Sequence, residues 1–164
     1  MIVRAGIRLG VDVGSVRVGV ARSDQAGVLV LPLETVPRDR RGQDLRRIVA
    51  LVREYEAIEV VIGLPLHLAG GEGESARMAR SFGRALKRRL PKTRVCLVDE
   101  RLSSNQAHGR LTEAGLSQAQ QRMIVDQVAA QVILEQALAS ERATGLPPGE
   151  PIEKVSPDER NGSE

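Results

Sequence analysis

The chain has 164 residues, 41% hydrophobic and 27% charged, which suits one globular domain with a substantial core. Aromatic residues make up 1%, only Tyr55 and Phe82, which argues against a binder that stacks unpaired bases on an aromatic platform; the lone Cys96 excludes a disulfide framework and a cysteine zinc site. The net charge of +3 hides an asymmetry, because beyond residue 140 six acids meet three bases and leave residues 1–140 with a surplus of +6. Only Lys87, Lys92 and Lys154 among the 24 basic residues are lysines, and the planar arginine fork suits phosphates. No apolar run reaches the ~18 residues of a spanning helix, and residues 1–8 are too short and polar for a signal peptide. The expectation is a cytoplasmic protein with no membrane partner.

Three strands are predicted first, at residues 7–13, 17–23 and 28–33. The opening stretch reads L-G-V-D-V-G-S-V-R-V-G-V-A-R-S-D from Leu9 to Asp24. Its β-branched run fits a strand buried on both faces, yet it carries Asp12, a charge that is costly there without a cation or donors. Gly14-Ser15 makes a tight turn, so Asp12 sits on a rigid sheet beside a turn free of bulk. Pro32 and Pro37 are expected to end the third strand, and residues 38–43 to form a loop. Leu45, Ile48, Val49, Val52 and Tyr55 form one apolar stripe, a first helix with Asp44 as its N-cap.

A fourth strand follows at residues 59–64, stopped by Pro65, and then a glycine-rich loop, H-L-A-G-G-E-G-E, from His67 to Glu74. No Gly-Lys-Ser/Thr follows, so it is not a Walker loop. The second helix, about 75–90, buries Met78, Ala79, Phe82, Ala85 and Leu86. Arg77, Arg80, Arg84, Lys87 and Arg88 make a second stripe on it. Five cations without one acid is unusual for a solvated face and suits phosphate backbone contact.

Residues 94–98 form a fifth strand that runs into Asp99-Glu100-Arg101. A short helix capped by Ser103 or Ser104 ends near Gly115, and Ser117 starts a long last helix to about residue 140. Asp126 lies at the margin of its apolar stripe. The remainder is rich in proline, glycine and charge. The expected organisation is therefore one domain over residues 1–140 and a disordered acidic tail over 141–164.

The predicted order suggests an α/β fold, a five-stranded mixed sheet of three antiparallel strands followed by parallel crossovers, with helices on both faces. Asp12, the pair Asp99/Glu100 and Asp126 each occupy a place awkward for folding, as functional residues do. Clustered carboxylates without His or Cys select hard cations such as Mg²⁺ or Mn²⁺, and a two-metal site can activate water against a phosphodiester.

The ordered motifs G-V-D-V-G-S-V-R-V-G-V-A, V-I-G-L-P-L, V-D-E-R-L-S-S-N-Q-A and V-D-Q-V-A-A-Q-V-I-L, spanning residues 8–138, resemble the YqgF/RuvX family. These are RNase H-like proteins described as Holliday junction resolvases and as nucleases that mature the 5′ end of pre-16S rRNA. The resemblance implies an RNase H-like fold and catalytic carboxylates at Asp12, Glu100 and Asp126. It also implies metal ligation by Asp12, Asp126 and one or both of Asp99 and Glu100, of which Glu100 is favoured. Arg17 and Arg101 match motif arginines, for phosphate contact or for orienting the acids. The chain departs from the usual N-M-D-G at His67-Leu68-Ala69-Gly70. The expected activity is metal-dependent endonucleolytic cleavage of structured nucleic acid, pre-16S rRNA or branched DNA, by a monomer or homodimer.

A sugar-kinase or actin-type ATPase shares the Asp-x-Gly-Ser turn but needs a second lobe, for which 164 residues leave no room. A non-catalytic assembly factor has no reason to keep three strained acids.

Overall fold

The computed structural model describes residues 3–67, 69–100 and 117–154. A mixed sheet runs in the order β3-β2-β1-β4-β5-β6. Its strands are β1 (Arg8–Val13), β2 (Arg17–Ser23), β3 (Val30–Pro37), β4 (Glu59–Leu64), β5 (Arg94–Asp99) and β6 (Glu150–Pro151). β1, β2 and β3 pair antiparallel, β1, β4 and β5 parallel, and β6 antiparallel to β5. The α/β class and the mixed sheet agree with the expectation; the strand count is six, not five.

The helices are α1 (Gln43–Glu54), α2 (Glu74–Arg89) and α3 (Gln118–Thr144). Side chains alternate across each strand, so one sequence serves two cores. Leu9, Val11, Val18, Val20, Ile62 and Leu97 pack with Ile48, Val52, Phe82 and Leu86 of α1 and α2. Ala21, Val61 and Cys96 face Ala130, Ile133, Leu134 and Ala137 of α3. Because helices cover both faces, β1 and β4 read as continuous apolar runs.

Several local readings change. β3 runs through Pro32 to Pro37, with a bulge opposite Val20/Ala21. As the outer strand, β3 need not donate every N–H to a neighbour, so proline is tolerated there. Gly42, at φ 82°, is the N-cap of α1, and Asp39 accepts the Gln43 N–H at 2.9 Å. Asp44, expected as the cap, lies buried in the first turn and accepts from Arg38 at 2.9 Å. The capping box of Ser117 and Gln120 starts α3, and Gly145 ends it at φ 73°.

The disordered tail expected from residue 141 is also corrected for residues 141–154. α3 continues to Thr144, and β6 pairs with Cys96 and Leu97 of β5. Glu141 is buried and accepts from Arg4 and from Arg8 at 2.8 Å. Arg4 and Arg94 bridge to buried Glu59, each at 2.8 Å. Arg94 also holds the Pro148 carbonyl at 2.7 Å. This ionic cluster joins the N-terminal segment, β4, β5, the end of α3 and the chain beyond it. The expected helix over 103–115 lies outside the described residues.

Candidate active site

The site is built on a row across the sheet. Asp12 alternates with Val11 and Val13, which face α1 and α2, so its carboxylate is on the α3 side. Its antiparallel partner is Gly19 of β2. Continuing the β1–β4 register past Val11–Ile62 by one residue sets Gly63 on its other side. Glycine on both flanks is what makes room for the acids. A Cβ on Gly19 would collide with the Asp126 carbonyl of α3. One on Gly63 would collide with the Glu100 carboxylate and Ile133.

Asp126 therefore enters because the α3 backbone lies directly on β2 at Gly19. Arg17, on the same side of β2, donates from Nε to the Asp126 carboxylate at 2.7 Å. Glu100 enters because it follows β5 by one residue, and its N–H reaches the Leu64 carbonyl at 3.3 Å. Asp99 pairs in register with Leu64 and is exposed, one residue out of phase. Strand alternation thus puts Glu100 over Gly63 beside Asp12 and leaves Asp99 at the rim.

Burial and mutual repulsion set the electrostatics. Loss of solvent, then the charge of Asp126, pushes the Asp12 carboxyl up to about 6. Loss of solvent, then Asp12 and Asp99, pushes Glu100 up to about 8. These shifts describe anionic oxygens that a proton or a hard cation would relieve. The all-oxygen donor set suits Mg²⁺ or Mn²⁺ rather than zinc. Among the described residues, however, no three His, Cys, Asp or Glu side chains stand together as a metal-holding cluster. The acids form a line instead, Asp126–Asp12–Glu100, with Asp126 turned to Arg17.

The basic stripe of α2 lies on the opposite face of the sheet and is only partly available. Arg80 is bidentate to Glu72 at 2.6 and 2.8 Å and reaches Glu150 at 3.2 Å. Lys87 donates to the Thr93 carbonyl at 2.7 Å. Arg77, Arg84 and Arg88 are exposed and make no ion pair among the described residues. Arg101 lies outside the described residues.

Sequence reasoning missed Arg38. It donates to Asp44 and to the Gly14 carbonyl at 3.0 Å, and its guanidinium lies 5.4 Å above the Phe82 ring centre. It thereby braces the turn that follows Asp12. The arginine density of residues 38–47 was the only signal, and a loop reading gave it no use.

The family model described as "RuvX: Holliday junction resolvase" matches residues 6–140. A Thermobifida fusca protein named "Putative pre-16S rRNA nuclease" is 50% identical over 159 residues, covering 92% of this chain and 98% of its own. A Streptomyces coelicolor protein of the same name is 47% identical over 156 residues, covering 93% and 91%. Among solved structures, Thermus thermophilus RuvC in complex with a Holliday junction superposes with a TM-score of 0.54. It shares 14% identity, over 89% of this chain and 99% of that one, a likeness of fold.

Proposed function

We propose, for a chain that belongs to the RuvX Holliday junction resolvase family, that it is a nuclease cutting structured nucleic acid with divalent metal, and that pre-16S rRNA is its substrate. The substrate follows the names of relatives at 47–50% identity. The observation that carries the chemistry is the glycine-flanked Asp12, with Glu100 over Gly63 and Asp126 over Gly19. No fold needs a charge there, and the neighbouring acids make it worse.

Asp12 and Glu100 are the residues to hold a cation, Mg²⁺ or Mn²⁺, with Asp126 completing the donor set and Asp99 at its rim. When bound, such a metal polarises the scissile phosphate and lowers the pKa of the attacking water. The protein's own share is positional. Arg17 orients Asp126 from the β2 side, and the sheet fixes Asp12 between two positions where any side chain would block the acids. Arg77, Arg84 and Arg88 supply phosphate contacts remote from the cut, and Arg101 lies next to Glu100 in sequence. Cytoplasmic location suits this role, and none of the described helices is long and apolar enough to cross a membrane.

The test offers a precursor 16S 5′ leader and a four-way DNA junction to the protein, with Mg²⁺ or Mn²⁺, beside Asp12→Asn. The leader is cut and the variant is inactive. Junction cleavage alone transfers the function to recombination, and cleavage of neither makes the chain a non-catalytic assembly factor.

A further inference from the structure

Around the end of the sheet from the carboxylates, on the α2 side, lies a recess of about 290 Å³ lined by Ser15, Arg38, Asp39, Arg40 and Met78. We propose that it is a phosphate subsite for the nucleic-acid strand being cut, which rests on Asp12 marking the reacting centre.

The first argument is placement. Ser15 belongs to the turn that follows β1, three residues after Asp12. Three residues of chain span at most ~11 Å, and a nucleic-acid strand advances ~3.4 Å per nucleotide along a duplex. A strand passing over the Gly14–Ser15 turn, from the α3 side where Asp12 points to the α2 side where the recess lies, therefore presents a phosphate to the recess a few nucleotides from the bond at Asp12.

The second argument is the state of its arginines. Arg38 is fixed by three contacts, Asp44, the Gly14 carbonyl and the Phe82 ring. Its Nη2 has no partner among the described residues. A donor already immobilised loses little entropy on meeting an anion. Arg40 is exposed and makes no hydrogen bond or ion pair among the described residues.

The third argument is charge. Asp39 also lines the recess, but its carboxylate accepts the Gln43 N–H, and Asp44 is taken by Arg38. Arg47 is taken by Glu34. Arg40, Arg41 and Arg46 remain without a carboxylate partner among the described residues, so residues 38–47 keep a positive surplus facing solvent. Together a rigid guanidinium edge, a free arginine and a hydroxyl give the donors a phosphodiester takes.

The experiment uses Asp12→Asn as parent, so that binding is read without cleavage. The probe is labelled 16S leader RNA, or the four-way junction if the protein prefers it. Adding Arg40→Ala weakens binding about threefold to tenfold at low salt and flattens the salt slope by about 0.7 for single-stranded RNA or about 0.9 for a duplex, while the melting temperature is unchanged. Neutral methylphosphonates are then placed at each linkage in turn. One linkage a few nucleotides from the scissile bond weakens the parent and has a smaller effect on the Arg40→Ala form, in which Arg38 and Ser15 still face it. Arg40→Lys keeps the slope and loses part of the affinity.

Equal methylphosphonate profiles with and without Arg40, or an unchanged slope, overturn the subsite. A parent that binds neither probe overturns it together with the nuclease reading. Wild type that cuts nothing while the Arg40 pattern persists overturns the nuclease reading and leaves the recess as a phosphate site for a bound, uncut strand.

Discussion

At the scale of single residues the molecule turns on Asp12, a carboxylate that the sheet makes costly. Its folded-state pKa, about 6, lies above the ordinary 3.8, and that of Glu100, about 8, above 4.5. Folding favours the protonated forms, so their contribution to stability is complete below about pH 4 and is lost as pH rises through 6 and 8. Metal-free protein should therefore melt at progressively lower temperature between pH 5 and pH 8.5. Asp12→Asn should flatten this fall and be more stable than wild type at pH 8, by up to ~3 kcal/mol, while losing cleavage. A variant less stable than wild type at pH 8 contradicts a strained carboxylate. Carboxyls held low by partners, such as Glu34 with Arg47, act in the opposite sense but below about pH 4.5, outside that window.

Elements decide which cations are available. The α2 stripe reads as one surface in sequence, but Arg80 clamps the loop residue Glu72 to Glu150 of β6, and Lys87 caps the chain at Thr93. Replacing Arg77, Arg84 and Arg88 together with alanine should lower the salt slope of RNA binding by about 2, at roughly 0.7 per single-strand phosphate. Arg80→Ala should change that slope much less. A larger effect from Arg80 than from the triple variant would show the clamp opening onto substrate. The glycines of the site also act at this scale. Gly19→Ala drives a methyl into the α3 backbone at Asp126 and should cost about 1–3 kcal/mol by urea unfolding. It should also reduce cleavage, because the helix that carries Asp126 must lift.

The whole molecule has two poles. Asp12, Glu100 and Asp126 crowd together at the carboxyl end of the sheet, where burial and mutual repulsion raise the carboxyls of Asp12 and Glu100, while at the other end Arg4, Arg8 and Arg94 neutralise Glu59 and Glu141. Removing a partner from a buried pair strands the other charge, so Glu141→Ala should cost about 3–5 kcal/mol by abandoning Arg8. Metal should act at the first pole only. Addition of Mg²⁺ or Mn²⁺ at pH 8 should raise the melting temperature of wild type, by mass action on the folded state, and not that of Asp12→Asn. An equal rise in both would place the cation elsewhere.

Element type and order were legible in the sequence, because β-branched runs around Asp12 and Ile62 and the stripes of α1 and α2 obey their periods without tertiary help. Asp12 was legible as a misfit within its run, and Asp99, Glu100 and Asp126 as acids at the edge of apolar segments. Composition misled for residues 141–154, since a proline-rich charged stretch gives no sign of the buried arginines that hold Glu141 or the free β5 edge that accepts residues 150–151. The stripe of α2 likewise could not reveal its partners at Glu72 and Glu150, which come from outside the helix. The resemblance already favoured Glu100 over Asp99; what only the sheet supplies is the placement, because the register of β5 against β4 puts the Glu100 carboxylate over Gly63. Local pattern specifies what each segment becomes. Only the packing of segments distant in sequence decides which charges meet, since a Coulomb or hydrogen-bond partner is chosen by distance in space.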